Sequence, residues 1–153
     1  MNVAVVGGYR CSKKAYKTAY EVGKLIAQEG WVLTCGGGSG VMEAACRGAK
    51  EKGGLTVGIL PGYDVKEANK YLDVKIPTGL GYARNILVVR SASAIVAVDG
   101  KYGTLSEIAF ALNEDKTVIG IGSWDIPGVV RVKTPSKALE HIHRAILRNK
   151  KNA

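Results

Sequence analysis

Short apolar runs alternate along the chain with longer stretches in which apolar residues recur every three or four positions. The short runs predict β-strands, and the spaced stretches predict amphipathic helices. The predicted strands are Asn2–Val6, Trp31–Cys35, Leu55–Leu60, Leu72–Ile76, Ala94–Val98, Thr117–Ile121 and a short edge strand at Val129–Val132. The predicted helices are Ser12–Gln28, Val41–Lys52, Tyr82–Ser91, Thr104–Asn113 and Ser136–Asn149, with a short helical turn at Asp64–Asn69.

This alternation of strands and helices is typical of βαβ units, which build a parallel sheet covered by helices. We therefore expect an α/β fold in which a doubly wound, mostly parallel sheet carries helices on both faces. The 153 residues suit a single domain at 1–149, followed by a basic tail at 150–153. In such sheets the ligand lies beyond the carboxyl ends of the strands.

Three predicted strands end in glycine-rich turns, "VVGGYR", "TCGGGSGVM" and "VDGKYGT". Glycine lets a ligand approach the backbone closely, and the start of a following helix offers unpaired N–H groups. Three such turns on one edge favour an anion or nucleotide site over turn geometry alone. The predicted phosphate or nucleotide contacts in these turns are Gly7, Gly8, Gly36, Gly37, Gly38, Ser39, Gly40, Gly100, Lys101, Tyr102, Gly103 and Thr104.

Several common classes of protein do not fit the sequence. There is no GxxxxGK[ST] motif, and "GGGSG" lacks the GxGxxG spacing, so neither a P-loop NTPase nor an NAD-binding protein is the first choice. Three cysteines without a CxxC spacing indicate neither a disulfide framework nor a metal site, and they favour the cytoplasm. Cys35 is expected to be a small buried residue rather than a nucleophile. No apolar run approaches the ~18 residues of a membrane span, so we expect no membrane partner.

The formal net charge of +9 is a further constraint on partners. Basic residues without neighbouring acids cluster near both ends of the chain, at Arg10, Lys13, Lys14 and Lys17 and at Arg144, Arg148, Lys150 and Lys151. Such a surface attracts anions, from phosphates to nucleic acid, or is simply a solvated basic face. No interleaving of aromatic and basic residues supports nucleic-acid binding, which is therefore the least favoured alternative.

The motifs "CGGGSGVMEAACRGAKEKGGLTVGILPG", "GYARN" and "GTLSEIAFAL" carry a resemblance that covers nearly the whole chain. The sequence resembles the LOG-type (Lonely Guy) phosphoribohydrolases, also known as possible lysine decarboxylases, and within them a short branch related to the molybdenum-cofactor carrier protein. The resemblance implies a Rossmann-like fold and a homodimer or higher homo-oligomer. It also implies a nucleoside 5′-monophosphate as ligand, whose phosphate is held by the glycine turns.

In the hydrolases of this family an arginine and a glutamate act on the N-glycosidic bond and release the base and ribose 5-phosphate. Arg84 in "GYARN" matches the arginine, and Glu107 in "GTLSE" matches the second glutamate of the family's motif. The resemblance therefore implies that Arg84 and Glu107 are the catalytic residues, and Arg84 is also expected to hold the phosphate together with the glycine turns. It implies no required cofactor.

Four departures from the hydrolase pattern favour a second function, a non-catalytic carrier of molybdenum cofactor or a related phosphorylated pterin. Asn85, a further predicted ligand contact, stands where the hydrolases usually have lysine, and Ser106 stands where they have the first glutamate. Asp99 and Lys101 occupy positions where glycine is common. The carboxylate of Asp99 is unfavourable near a phosphate unless a cation compensates it.

The predicted helix Thr104–Asn113 raises the question of which way Glu107 faces. An apolar stripe predicts the face toward the sheet, at Leu105, Ile108, Ala109 and Leu112. Glu107 then falls on the opposite side, together with Phe110. An aromatic residue on that side favours a cover by a ligand or by a second copy of the chain. The role of Glu107 stays open between catalysis, ligand binding and a favourable acid at a helix start.

Overall fold

Seven parallel strands form one sheet in the computed structural model, which describes residues 1–151. The strands are β1 (Asn2–Gly7), β2 (Val32–Cys35), β3 (Thr56–Leu60), β4 (Val74–Pro77), β5 (Ala94–Val98), β6 (Thr117–Ile121) and β7 (Val129–Val132). Their order across the sheet is β4-β3-β2-β1-β5-β6-β7, and every neighbouring pair is parallel. The chain thus starts in the middle of the sheet, extends it to one side and then crosses to the other. This Rossmann-like α/β arrangement confirms the predicted fold class, with a sheet that is parallel throughout.

Helices cover both faces of the sheet and bury two apolar layers. The helices are α1 (Lys13–Gln28), α2 (Val41–Glu51), α3 (Asn85–Arg90), α4 (Tyr102–Asn113) and α5 (Pro135–Lys151). Alternate residues of β1 serve the two layers: Val3 and Val5 pack toward α1, α2 and α5, whereas Ala4 and Val6 pack toward α3 and α4. This double burial explains why β1 reads as a continuous apolar run. Among residues 1–151, no helix is long and apolar enough to cross a membrane.

Most predicted elements are confirmed to within two residues. Ser12 caps α1 as predicted, because its Oγ accepts a hydrogen bond of 3.1 Å from the N–H of Ala15. The predicted helix Tyr82–Ser91 is instead a 3-10 turn at Gly81–Arg84 followed by α3. Gly81 has a positive φ of 57°, so this segment enters the helix through a turn that an apolar pattern does not reveal.

The predicted orientation of α4 is confirmed for Ile108 and Leu112, which pack in the core, and is wrong for Ala109 and Glu107. The helix buries Thr104, Glu107, Ile108 and Ala111, while Ala109 is exposed. The reason is that the first turns of α4 border the cavity with Thr104 and Glu107, so the buried side of this helix is not marked by apolar residues there. Glu107 therefore lies inside the molecule, apart from Phe110, which is 38% exposed. A second copy of the chain over Phe110 stays a prediction.

Two glycines allow α1 and α2 to pack at very short range. A methyl group at Gly23 of α1 would overlap the backbone carbonyl of Ala45 in α2. Likewise, a methyl group at Gly48 of α2 would overlap the backbone carbonyl of Tyr20 in α1. Since backbone atoms cannot rotate away as side-chain ends do, these contacts fix the distance between the two helices.

We expect Gly23→Ala to lower the free energy of unfolding by about 2 kcal/mol, within the range that overpacking a core costs. The intrinsic preference of alanine for helices offsets only part of this loss. Urea denaturation followed by circular dichroism measures the change. The matched control is Gly103→Ala in α4, where an added methyl meets no atom within 4 Å. An unchanged stability for Gly23→Ala would contradict this account of the helix contact.

Candidate functional site

A cavity of about 630 Å³ lies at the carboxyl edge of the sheet. It is bordered by the segments that follow β1, β2, β3 and β5 and by the starts of α3 and α4. The cavity brings together ten of the residues predicted from the sequence: Gly7, Gly8, Gly37, Gly38, Arg84, Asn85, Lys101, Gly103, Thr104 and Glu107. This volume suits a small organic ligand.

Three predicted contacts in the glycine loop after β2 do not line the cavity but brace it. The backbone carbonyl of Gly36 accepts a hydrogen bond of 3.3 Å from Nη2 of Arg84. Ser39 Oγ donates to the backbone carbonyl of Tyr9 at 2.9 Å. Gly40, with a positive φ of 64°, lies against the backbone of Tyr9 and precedes α2. These residues therefore shape the loop that forms the floor of the cavity.

The turn after β5 also divides into residues inside and outside the cavity. Gly100 lies behind the lining, packed on the side chain of Thr104, and Tyr102 is 79% exposed with its ring near Trp124. Asp99 adopts a left-handed φ of 53°, a conformation that aspartate tolerates better than most residues. Asp99 does not line the cavity, so the predicted conflict between its carboxylate and a phosphate is absent.

Sequence reasoning missed half of the lining. The missed residues are Tyr9, Arg10, Met42, Leu60, Pro61, Gly62, Asp64, Glu67, Gly81 and Tyr82. Five of them follow or end β3, whose carboxyl end reaches the same edge as those of β1, β2 and β5. The sequence did contain a signal for these residues. "LPG" ends β3 just as the glycine turns end the other strands, and the carboxyl ends of parallel strands lie at the same edge of a sheet.

The guanidinium of Arg84 is held in one orientation by three hydrogen bonds. Its Nε donates to the carbonyl of Ile59 at 2.9 Å, Nη2 donates to that of Gly36, and Nη1 donates to Oδ1 of Asn85. A guanidinium has five N–H donors, so two remain for a ligand. Burial lowers the pKa of Arg84, and the nearby Glu107 opposes this effect. The group nonetheless stays protonated at physiological pH.

Glu107 is only 6% exposed and faces the cavity. No side-chain hydrogen bond or ion pair reaches its carboxyl group from elsewhere in residues 1–151. Burial raises the pKa of Glu107 to about 7, although the positive charge of Arg84 pulls it down. No fully buried side-chain oxygen or nitrogen of the described residues lacks a hydrogen-bond partner, so the carboxyl oxygens of Glu107 are accessible from the cavity, where a ligand can reach them.

A neutral hydrogen-bond chain joins the starts of α3 and α4. Asn85, which is 2% exposed, donates from Nδ2 to Oγ of Ser106 at 3.0 Å, and this hydroxyl donates to the carbonyl of Gly103 at 2.6 Å. In the hydrolases that this sequence resembles, lysine usually stands at the position of Asn85 and glutamate at the position of Ser106. The two departures therefore compensate each other, since neither leaves an unpaired charge.

The start of α4 has the features of an anion-binding helix terminus. No side chain caps it, and its first backbone hydrogen bond runs from Leu105 N–H to the carbonyl of Lys101 at 2.9 Å. The preceding amides of Tyr102, Gly103 and Thr104 consequently have no partner within the helix. The side chain of Lys101 lines the cavity beside them and adds a positive charge.

Two thiols lie buried directly under the glycine loop. Cys35 Sγ and Cys46 Sγ are 3.6 Å apart, and Cys35 Sγ also accepts a hydrogen bond of 3.3 Å from the N–H of Gly37. The contact with Cys35 and burial together raise the pKa of Cys46. Cys35 is fully buried, which confirms its predicted place in the core. Within residues 1–151, no group of three or more histidine, cysteine or acidic side chains is arranged to hold a metal ion.

The strand order reverses between β1 and β5, and the cavity lies where the carboxyl ends of these two strands meet. This arrangement defines the class of protein, a Rossmann-like α/β protein. The chain belongs to the SLOG cluster4 family, whose sequence profile matches residues 1–151. An uncharacterized protein of Archaeoglobus fulgidus is 44% identical over 142 residues, which are 92% of this chain and 93% of that protein.

Two relatives with described functions confirm the resemblance inferred from the motifs. The cytokinin riboside 5′-monophosphate phosphoribohydrolase of Mycobacterium tuberculosis is 32% identical over 115 residues, which are 69% of this chain and 62% of the enzyme. The solved molybdenum cofactor binding protein of Rippkaea orientalis is 38% identical, with a TM-score of 0.87 over 95% of both chains. The chain is thus similar to both a hydrolase and a cofactor-binding protein.

We expect the raised pKa of Glu107 to make stability fall as pH rises. The native state holds the proton up to about pH 7, whereas the unfolded chain releases it near the usual value of 4.5. Between pH 4.5 and 8 the native state should lose about 3 kcal/mol from this group, because one pKa unit corresponds to 1.36 kcal/mol. Urea denaturation at pH 5 and pH 8 measures this difference.

Glu107→Gln should abolish this part of the pH dependence and should be more stable than wild type at pH 8. Glu51→Gln is the matched control, because the side chain of Glu51 is 47% exposed at the end of α2. It should keep the wild-type dependence. Equal pH dependence in wild type and Glu107→Gln would show that Glu107 is not buried as a neutral acid.

Proposed function

We propose that the cavity binds a phosphorylated ligand with a planar nitrogen heterocycle, of the nucleoside monophosphate or pterin kind. The observation that carries the proposal is Glu107, a largely buried residue whose carboxyl group has no hydrogen-bond partner among the described side chains and opens onto the cavity beside the fixed guanidinium of Arg84. Structural carboxylates in a core are normally paired, so this arrangement favours a ligand as the missing partner.

The distribution of charge supports a phosphate at one end of the cavity. Arg10 follows β1, Lys101 follows β5, and the uncapped start of α4 lies beside them. These strands are neighbours in the sheet, so the positive groups share one region. Both similar proteins fit this chemistry, since one acts on a riboside 5′-monophosphate and the other binds molybdenum cofactor.

The first candidate function is a carrier that holds its ligand without turnover. The neutral link between Asn85 and Ser106 favours it, because this chain lacks the lysine and glutamate found there in the resembling hydrolases. The likeness to the cofactor-binding protein also spans nearly the whole chain, whereas the likeness to the hydrolase spans 69% of it. Molybdenum cofactor or a related phosphorylated pterin would then be cargo.

The second candidate function is hydrolysis of an N-glycosidic bond, favoured by the nearness of Arg84 and Glu107. In this reaction the bond between the sugar carbon and the base nitrogen breaks, and the base leaves with the electron pair and takes up a proton. Water adds its hydroxyl group to the sugar carbon, which yields ribose 5-phosphate. An ionised Glu107 stabilises the developing sugar cation, and Arg84 orients the substrate.

We expect Lys101→Ala to weaken binding of a nucleoside 5′-monophosphate about tenfold, the equivalent of about 1.4 kcal/mol for a lost charged contact. Binding of the corresponding nucleoside without phosphate should not change. Isothermal titration calorimetry measures both affinities. Lys52→Ala serves as the control, since Lys52 is exposed at the far end of α2. Equal losses for nucleoside and nucleotide would argue against a phosphate at this turn.

Chromatography of released base separates the two candidate functions. If the protein is a hydrolase, a panel of nucleoside 5′-monophosphates should include one that yields base with wild type and none with Glu107→Gln. The rate should rise with pH through about 7, because the ionised carboxylate is the active form. Binding without release supports the carrier. A wild-type protein that neither binds nor cleaves any phosphorylated heterocycle would refute the proposed function.

A further inference from the structure

The end of the cavity beyond β3 carries negative rather than positive charge. Asp64 and Glu67 both line the cavity there, in the segment between β3 and β4. Carboxylates repel phosphate, so these two residues do not belong to the phosphate end. As ionised carboxylates they can only accept hydrogen bonds, so they favour a ligand group that donates hydrogen bonds.

The two carboxylates differ in how far the protein already uses them. Asp64 caps the 3-10 turn Val65–Glu67, since its Oδ1 accepts a hydrogen bond of 2.9 Å from the N–H of Lys66, and Oδ2 lies 3.8 Å from Lys66 Nζ. Glu67 forms neither a side-chain hydrogen bond nor an ion pair with the rest of residues 1–151. The carboxylate of Glu67 is therefore the one available to a ligand.

The segment that carries Glu67 is fastened to the floor of the cavity. Asn69, which is 8% exposed, donates its backbone N–H to the carbonyl of Gly37 at 2.9 Å and its Nδ2 to the carbonyl of Gly38 at 3.0 Å. The N–H of Ala68 closes the preceding turn on the carbonyl of Val65 at 3.1 Å. The backbone of Glu67 is thus held in place, although its side chain is exposed.

The acidic and basic ends are a suitable distance apart for one extended ligand. Three interstrand steps separate β3 from β5, which amounts to about 14 Å at the usual spacing. A phosphate, a sugar-sized linker and a ring can span such a distance. Glu107 supports a polar ligand independently, because this largely buried residue has no hydrogen-bond partner among the described side chains and its carboxyl group faces the same cavity from α4.

We propose that Glu67 selects heterocycles that contain a 2-amino-4-oxopyrimidine ring, which guanine and pterins share. Its carboxylate would accept hydrogen bonds from the amino group and from the adjacent ring N–H. This inference rests on the proposed function, because it concerns the ring of the same ligand. A carboxylate pairs well with two parallel N–H donors. Adenine instead presents one amino group beside an unprotonated ring nitrogen, which repels a carboxylate.

Guanosine and inosine 5′-monophosphates test this proposal, because they differ only in the 2-amino group. In isothermal titrations the wild-type protein should bind guanosine monophosphate at least about fivefold more tightly than inosine monophosphate, since a bidentate contact discriminates by roughly 1–3 kcal/mol. Glu67→Gln and Glu67→Ala should bring this ratio close to one. The affinity for adenosine monophosphate should not fall in either variant.

Two further variants locate the effect. Glu51→Gln should leave the ratio at the wild-type value, because Glu51 lies outside the cavity at the end of α2. Asp64→Asn should keep most of the preference. A ratio that falls with Asp64→Asn but not with the Glu67 variants would overturn the assignment to Glu67.

The failure of this proposal and the failure of the proposed function give different results. If wild type binds all three monophosphates with similar affinity, the selection by Glu67 is refuted while the proposed function stands. If wild type binds none of them, nor a phosphorylated pterin, both are refuted. A guanosine preference that persists in both Glu67 variants refutes only the role of Glu67.

Discussion

The functional edge of this protein depends on one topological constraint, the reversal of strand order at β1. The chain adds β2, β3 and β4 on one side of β1 and then places β5, β6 and β7 on the other. Consequently α1 leaves β1 toward one face of the sheet, and α4 leaves β5 toward the opposite face. The starts of these helices diverge, so a crevice opens between two strands that are themselves hydrogen-bonded neighbours.

This constraint also explains why a carboxyl group without a partner among the described side chains lies at this edge, open to the cavity. Other polar side chains around the crevice are paired with the backbone, as Arg84 is when its guanidinium donates to the carbonyls of Ile59 and Gly36. Glu107 enters the same space from α4 and finds no such contact. Sites that bind ligands commonly retain groups that lower the stability of the free protein. A neutral Glu107 limits that loss, and the burial that raises its pKa to about 7 favours this form below neutral pH.

The sequence predicted the strands, the helices and the glycine turns well, because each depends on local patterns. The predicted side of α4 on which Glu107 lies was wrong, because the side of this helix that faces the cavity carries Thr104 and Glu107 rather than apolar residues. The contribution of Asp64 and Glu67 was missed because their loop, which also carries Lys66 and Lys70, has no motif. The hydrogen bond between Asn85 and Ser106 joins residues 21 positions apart, so only the fold reveals that the two departures belong together.

Binding and cleavage demand opposite protonation states of the same carboxyl group. A neutral Glu107 donates a hydrogen bond and can hold an acceptor on the ligand, whereas an ionised Glu107 stabilises a sugar cation. With a pKa of about 7, both forms are present under neutral conditions. The phosphate proposed at Lys101 would add negative charge to the cavity and thereby favour the neutral form. Unless Arg84 offsets the charge of the phosphate, binding of such a ligand would raise the pKa of Glu107 and favour binding over cleavage.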